Sequence, residues 1–403
     1  MSKLEKLIQQ YCPDGVEYVK LDSVANICRG TRVVKSQLSD KGYPVYQNCL
    51  TPMGYFERSN CNAGITFVIC GGAAGNVGYT DVECWAADDC EFIIGGHQVI
   101  NRYIYYYLMT KQNYLLSKVR KASIPRLSPS IIKDLEIPLP PLPVQEEIVR
   151  ILDAFTELQA ELQAELQKRK QQYNYYLDNL LNFKDINGGG YQAEVRWMKM
   201  SEVFETITDY TAAGSFKSIA ENVKYLKSPD YAMLIRTTDL KSRFRKGDFI
   251  YVSKSAFDYL WRVKMDKECI VMPNVGNCGE IYYVHPNSLP YDNCALAPNA
   301  ILVRSKLFNN KYLSYCLQVE CFQKQLAKIT SPVGQSKFNK TELKKLLVPI
   351  PSLADQQKIV DILDRFDTIT TDLTQGLPAE IEKRRQQYEY YRDKLLTFKR
   401  KGA

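Results

Sequence analysis

Histidine is nearly missing from this sequence: His97 and His285 are the only two. Twelve cysteines are present, but they are scattered and no two form a CxxC pair. A structural zinc site is therefore hard to assemble, and the cysteines read as reduced thiols in half-buried positions. No run of about 18 apolar residues occurs, which excludes a membrane-spanning helix. The opening MSKLEKLIQQYCPDG lacks the apolar core of a signal peptide, so a cytoplasmic location is expected. There is no P-loop, no GxSxG and no HExxH. Gly71, Gly72, Gly75 and Gly78 do not spell GxGxxG and read as a tight turn.

What is present is an ordinary soluble profile, 45% hydrophobic and 24% charged, over 403 residues. That length suits two domains with connecting elements. The net charge of +8 suits a polyanionic partner.

An internal repeat organises the chain. IPLPPLPVQEEIVRILDAF (Ile137 to Phe155) recurs as VPIPSLADQQKIVDILDRF (Val348 to Phe366), with 10 of 19 positions identical. RKQQYNYYLDNLLNF (Arg169 to Phe183) recurs as RRQQYEYYRDKLLTF (Arg384 to Phe398), with 10 of 15 identical. Agreement of this kind without gaps is a duplication. Fainter matches keep the same order upstream: VEYVKLDSV (Val16 to Val24) with VRWMKMSEV (Val195 to Val203), Gly75–Gly78 with Gly276–Gly279, Asp88-Asp89-Cys90 with Asp292-Asn293-Cys294, and Asn101–Ile104 with Asn310–Leu313. The repeat unit is thus a whole domain plus a helix, joined by a flexible linker at Asn187-Gly188-Gly189-Gly190. The helices stay alike while the domains diverge, so each domain is expected to recognise something different.

Each helix follows a Pro-containing extended run. Pro143 suits a first helical position, and Ser352 with Asp355 makes a capping pair. In the first helix the positions 148, 152, 155, 159, 162, 166, 169, 173, 176, 180 and 183 alternate steps of four and three. Nine of those eleven are Ile, Leu, Phe or Tyr, with Gln159 and Arg169 the exceptions. This is a coiled-coil seam, and the two helices of the chain are its natural partners. The regular spacing of the tyrosines in QQYNYY and QQYEYY assigns them to core or partner packing rather than to base stacking. The second helix carries a stutter at Leu373, Leu377 and Ile381, with Gly376 and Pro378 at that point, so a break is expected there. The first helix instead holds TELQAELQAELQ, a tetrapeptide spacer of which one copy is worth about 6 Å.

The domains read as mixed α/β. Ile65–Ile69 and Cys269–Met272 look like strands leading into Gly-rich turns, and 103–109 and 312–317 look like matching helices. The loop from Arg236 to Lys246 mixes guanidinium, ammonium and hydroxyl donors. Arg236, Thr237, Lys241, Arg243 and Arg245 are its candidate DNA contacts, since Arg grips guanine bidentately while Lys and Thr hold phosphates. Arg29, Thr31, Arg32 and Lys35 form the comparable segment of the first domain, and Gln47 and Asn48 have the amide that reads an adenine edge. Lys118, Arg120, Lys121 and Arg126 suggest a phosphate-facing collar. Arg126 aligns with Lys337, and Lys217 completes the basic candidates. Against this stands one nuclease-like pattern, Pro229-Asp230 followed by Asp239-Leu240-Lys241, which loosely matches the carboxylate pair and lysine of a Mg²⁺-dependent nuclease. A third possibility is a scaffold whose paired helices dock proteins without reading DNA.

The opening CPDGVEYVKL, the two Pro-rich helix starts and LTQGLPAEIEKRRQQYEYYRDKLLTF together resemble the specificity subunit of a Type I restriction-modification enzyme, over essentially the whole chain. The resemblance implies an α+β fold of two mixed α/β target-recognition domains separated by two long antiparallel coiled-coil helices, with a pseudo-twofold repeat. Its expected segments are 1–140 and 187–347 for recognition, and 141–186 and 348–403 for the helical spacers. It implies that each domain reads one half of a split, asymmetric site on double-stranded DNA. The helices would bind two methylation subunits, to which restriction subunits are added. S-adenosylmethionine, ATP and Mg²⁺ then belong to those partners and none to this chain, in keeping with the absence of an NPPY-like motif. A helix of about 40 residues is about 60 Å long, enough to hold two readers for half-sites about one DNA turn apart.

Overall fold

The computed structural model describes residues 2–181, 183, 194–245, 247–331, 336–371 and 376–402. The Gly-rich linker, Lys246 and Leu373 of the stutter lie outside these described residues. By contact the chain divides into two units, Met1–Glu165 with Pro378–Ala403, and Leu166–Leu377. The division cuts the long helix, Leu142–Leu181, and falls at the start of the last helix, Leu377–Leu395. Each unit therefore holds one α/β domain and helical segments drawn from both repeats.

In the first unit the strands are β1 (Tyr18–Lys20), β2 (Ala25–Arg29), β3 (Tyr43–Tyr46), β4 (Tyr55–Phe56), β5 (Ile65–Ile69), β6 (Val77–Thr80), β7 (Trp85–Ala86), β8 (Cys90–Gly95) and β9 (Glu136–Pro138). They form an antiparallel sheet in the order β2-β8-β5-β6, a mixed sheet β4-β3-β7 in which β3 and β7 run parallel, and the antiparallel pair β1-β9. Every residue of ITFVI in β5 is buried, as a central strand covered on both faces requires. The helix Asn101–Thr110 packs over this sheet with Tyr103, Ile104, Tyr106, Tyr107 and Leu108 buried.

In the second unit the strands are β10 (Arg196–Lys199), β11 (Thr206–Asp209), β12 (Ala232–Ile235), β13 (Ile250–Val252), β14 (Cys269–Pro273), β15 (Tyr282–Val284), β16 (Cys294–Leu296), β17 (Ala300–Arg304) and β18 (Leu347–Ile350). Their orders, β11-β17-β14-β15, β13-β12-β16 and β10-β18, repeat the first unit's topology strand for strand.

The pairing registers correct two of the faint sequence matches. Ile69 opposes Cys90 where Pro273 opposes Ala300, so Asp88-Asp89-Cys90 corresponds to Pro298-Asn299-Ala300 and not to Asp292-Asn293-Cys294. The side-chain amide of Gln112 donates to the Gly75 carbonyl and that of Gln323 to the Gly279 carbonyl. Gly75 thus corresponds to Gly279, and Gly72 to Gly276. Short Gly- and Asp-rich strings recur by chance at nearby positions, whereas a ladder of backbone bonds admits one register.

Each domain is fastened to the helix that follows it by the same set of bonds. The Tyr103 hydroxyl donates to the Pro138 carbonyl (3.0 Å) and the Tyr312 hydroxyl to that of Pro349 (2.9 Å). The fully buried side chains of Gln145 and Gln356 each accept from a backbone N–H of their own domain, Ile100 and Asn309, both at 3.0 Å. Their amide groups donate to the Pro140 and Pro351 carbonyls, which satisfies the proline-rich entry to each helix. Asp153 takes Tyr106 and Arg102, and Asp364 takes Tyr315 and Lys311. Desolvation and the adjacent carboxylates raise the pKa of Tyr106 and Tyr315, so both hydroxyls stay protonated donors.

The expected break is present: one helix covers Leu353–Thr371 and the next Leu377–Leu395. Ser352 caps the first of these, accepting from the Asp355 N–H at 3.2 Å. The long helix departs from the strict seam toward its end. Leu177 and Leu181 are buried there while Tyr176 is partly exposed. A straight helix of 3.6 residues per turn drifts from a 3.5 repeat in this way.

Candidate nucleic-acid interface

At one end of each domain three loops meet: the one after β2 or β11, the one after β3 or β12, and the Gly-rich turn after β5 or β14. In the first domain they are laced by backbone bonds from Gly30 N to Cys90 O, Thr31 N to Ala86 O, Ala73 N to Asn48 O, and Gly72 N to Pro125 O. Gly72 has φ +84°, and a Cβ there would lie 2.8 Å from that of Asn48, so only glycine fits.

This lacing gathers three of the candidate residues around an acidic pair that sequence reasoning did not single out for this role. The Arg29 Nε donates to the Asp88 carbonyl (2.9 Å), and the Gln47 amide approaches the Asp88 carboxylate at 3.4 Å. Arg126 donates to the Asp89 carboxylate at 3.0 Å and is half exposed. Asn48 abuts the Gly turn. Thr31, Arg32 and Lys35 are exposed on the first loop. Lys118, Arg120 and Lys121 are exposed too, and Arg120 is bridged to Arg126 by backbone.

Tyr46 in the first domain and Ile235 in the second both accept from the segment that follows the parallel strand, through Ala87 N and Ala297 N. This equates Gln47 with Arg236 and Asn48 with Thr237. The counterpart of the basic loop is therefore the Gln47–Asn48 loop, whereas Arg29–Lys35 corresponds to the segment from Asp209 to Lys217. Arg236 does not project freely. Its guanidinium donates to the buried Asp239 carboxylate at 2.7 and 3.0 Å and to the Asp248 carbonyl at 2.8 Å. Lys241 is paired with Glu280 of the Gly turn. Burial pushes the Glu280 carboxyl up, but Lys241 and the Tyr282 hydroxyl outweigh it and leave its pKa lowered. Arg243 and Phe244 both adopt left-handed backbone, φ +49° and +59°, an uncommon pair for non-glycine residues. Phe244 packs on the core, and Arg243 and Arg245 are exposed on either side of it. Thr237 is half-buried, Lys217 is exposed, and Lys337 is exposed and bridged to Val275 just as Arg126 is to Gly71.

The nuclease-like pattern has no metal cradle. Asp239 is held by Arg236, Lys241 by Glu280, and the Asp230 carboxylate accepts from the Tyr231 N–H. Among the described residues no group of three His, Cys, Asp or Glu is placed to hold an ion, and no helix is long and apolar enough to cross a membrane. Burial pushes the thiols of Cys70, Cys269, Cys294 and Cys316 up to about 12, which keeps them protonated and unreactive.

Comparison with known proteins agrees with this architecture. The family described as the Type I restriction modification DNA specificity domain matches residues 13–170 and again 193–383. A putative type I restriction enzyme specificity subunit of Haemophilus influenzae is 30% identical over 98% of both chains. A type I restriction enzyme specificity subunit of Escherichia coli is 31% identical over 75% of this chain and 72% of that one. The fold is shared with the S subunit of the type I system of M. genitalium, at a TM-score of 0.58 and 18% identity over 94% of this chain and 95% of that one. A chain from a structure of type I complex assembly has a TM-score of 0.56 and 14% identity, over 95% and 98%. With two domain matches in the order of its internal repeat, and a full-length relative at 30% identity, this chain belongs to the family of Type I restriction-modification specificity subunits.

Proposed function

We propose that the chain's two domains read the two unlike halves of one split DNA site and that its helices dock the enzymes which act there. The observation that carries this reading is that topologically equivalent loops bear unlike side chains. Gln47-Asn48 stands where Arg236-Thr237 stands, Asp89 where Asn299 stands, and Arg29 where Asp209 stands. One scaffold with two different readers addresses an asymmetric, bipartite sequence. Gln47 and Asn48 carry the amide that pairs with adenine. Thr31, Arg32, Lys35, Arg126, Lys217, Lys241, Arg243, Arg245 and Lys337 grip phosphates or guanine, and Arg236 positions its loop through Asp239.

Methylation subunits dock on the helices in two copies, and restriction subunits join through them. Tyr175 and Tyr390 hold the same place in the two repeats and are 64% and 61% exposed, offering the same anchor twice. The chain itself is non-catalytic in this reading, and S-adenosylmethionine, ATP and Mg²⁺ bind to the partners. The test is to map methylated adenines in the host genome with this gene intact and deleted. Loss of one bipartite motif is the expected result. An unchanged methylome, or cleavage of plasmid by the purified chain with Mg²⁺ that disappears in Asp239→Ala, overturns it.

A further inference from the structure

The second domain has a half-open cavity of about 560 Å³ beside the candidate contact residues Lys217 and Lys337. Its walls are Tyr210, Ile219 and Val223, and at its rim Phe216 and Tyr225 are 82% and 52% exposed. Large aromatic side chains held open to solvent beside basic residues are stacking platforms for an unstacked base. Trp261, 63% exposed, lies close by, since its neighbour Arg262 donates to the Ala212 carbonyl at 3.0 Å. The rim carboxylate of Asp209 is drawn to Lys340 at 2.8 Å.

Asn274 supplies the polar element. Among the described residues its Oδ1, covered from water, has no hydrogen-bond partner, and its Nδ2 makes a long bond of 3.4 Å to the Phe338 carbonyl. A buried acceptor left without a donor is a standing cost that a bound N–H group relieves. The amide gains that bond by turning to a donor in the cavity. An asparagine amide matches an edge on which an amine sits beside a bare ring nitrogen, the edge presented by adenine and by cytosine. The equivalent place in the first domain is built differently. Arg29 replaces Asp209 and reaches Asp88, and Asp89 replaces Asn299 and holds Arg126.

Resting on the DNA-reading assignment above, we propose that this cavity receives one unstacked adenine or cytosine base. The base comes either from the bound duplex or from a free nucleotide. The test uses the assembled complex with the methylation subunit. Duplexes of the target carry 2-aminopurine at each adenine position in turn and pyrrolocytosine at each cytosine position. Methyltransferases extrude their own target base, so one bright position is assigned to the partner. A second bright position, in the half-site of the second domain, is expected. It goes dark in Ala220→Trp, which fills the cavity from an exposed position, while the partner's position stays bright and binding weakens about tenfold. Asn274→Leu retains the cavity but loses the preference for dAMP and dCMP over dTMP. If no second position brightens yet dAMP or dCMP binds the complex and is excluded by Ala220→Trp, the same site is filled by free nucleotide. Neither signal, in a complex that still binds its bipartite site, overturns the cavity assignment and leaves the function intact. A complex with no bipartite preference overturns the function instead, and mononucleotide binding alone then decides the cavity.

Discussion

Phe155 stacks on Tyr391, with ring centroids 5.7 Å apart and 22° between the planes. Its repeat counterpart Phe366 stacks on Tyr176 at 5.0 Å and 27°. Each pair joins the first helical block of one repeat to the second block of the other, within one unit. The sequence repeat and the packing unit are therefore offset. A domain is completed by helix from the opposite half of the chain.

Removing one ring from each pair is expected to act on its own unit. Tyr391→Ala should destabilise the first unit and Tyr176→Ala the second, each by about 1–2 kcal/mol. Hydrogen exchange resolved by segment checks this, and equal loosening of both units by either change contradicts it.

Asp153 and Asp364 tie domain to helix through Tyr106 with Arg102 and through Tyr315 with Lys311. Asp153→Asn and Asp364→Asn each weaken a charge-assisted pair and are expected to cost about 1.5–3 kcal/mol. Urea midpoints of the full chain report it, and a double cycle with Tyr106→Phe or Tyr315→Phe should show coupling.

Deleting Ala160 to Gln163 shortens the long helix by about 6 Å. The methylome of cells carrying this variant should show the same two half-sequences at a shorter spacing. Altered half-sequences with unaltered spacing would contradict the spacer role.

Arg126→Ala and Lys337→Ala are expected to weaken binding of the assembled complex across all sequences alike. Each should lower the slope of log affinity against log salt by about 1. Gln47→Ala, in contrast, should relax discrimination at one base pair by about 1–3 kcal/mol. Binding titrations at several salt concentrations separate the two classes.

Glu147 is almost fully buried, and the Arg150 hydrogen bond, then Lys3, outweigh desolvation and hold its pKa down to about 2. A depressed carboxylate contributes stability that is complete above its unfolded value of about 4.3 and fades as pH falls toward 2. Protection of the N-terminal helix Lys3–Tyr11, which Lys3 anchors to Glu147, should fall over that window. In Glu147→Gln the helix should be less protected at pH 7 and should lose less of its protection on acidification, the remaining response coming from Glu5, whose carboxyl the Ser2 backbone N–H holds below its ordinary value.

Much of this was legible in the sequence. The duplication, the capped helix start at Ser352, the break at Gly376 and Pro378, and the strands Ile65–Ile69 and Cys269–Met272 follow from local rules, because periodicity, caps and proline act over a few residues. The candidate loops were legible as basic and polar stretches, but not as counterparts. Loop side chains carry little packing constraint, so Gln47 and Arg236 retain no shared pattern, and only the backbone register equates them. The acidic pair that gathers Arg29, Gln47 and Arg126 was invisible for the same reason, since its partners are 37 to 59 residues away.

By itself, then, the sequence determined that this chain is two copies of a domain and helix with a polyanion-seeking charge. Tertiary structure alone decided that Arg236 turns inward to Asp239, that Arg126 and Lys337 sit at matching bridges, and that each domain is closed by a helical block from the other repeat. Charge and periodicity are sums and spacings along the chain, whereas which cation meets which carboxylate depends on distances that exist only after the strands have paired.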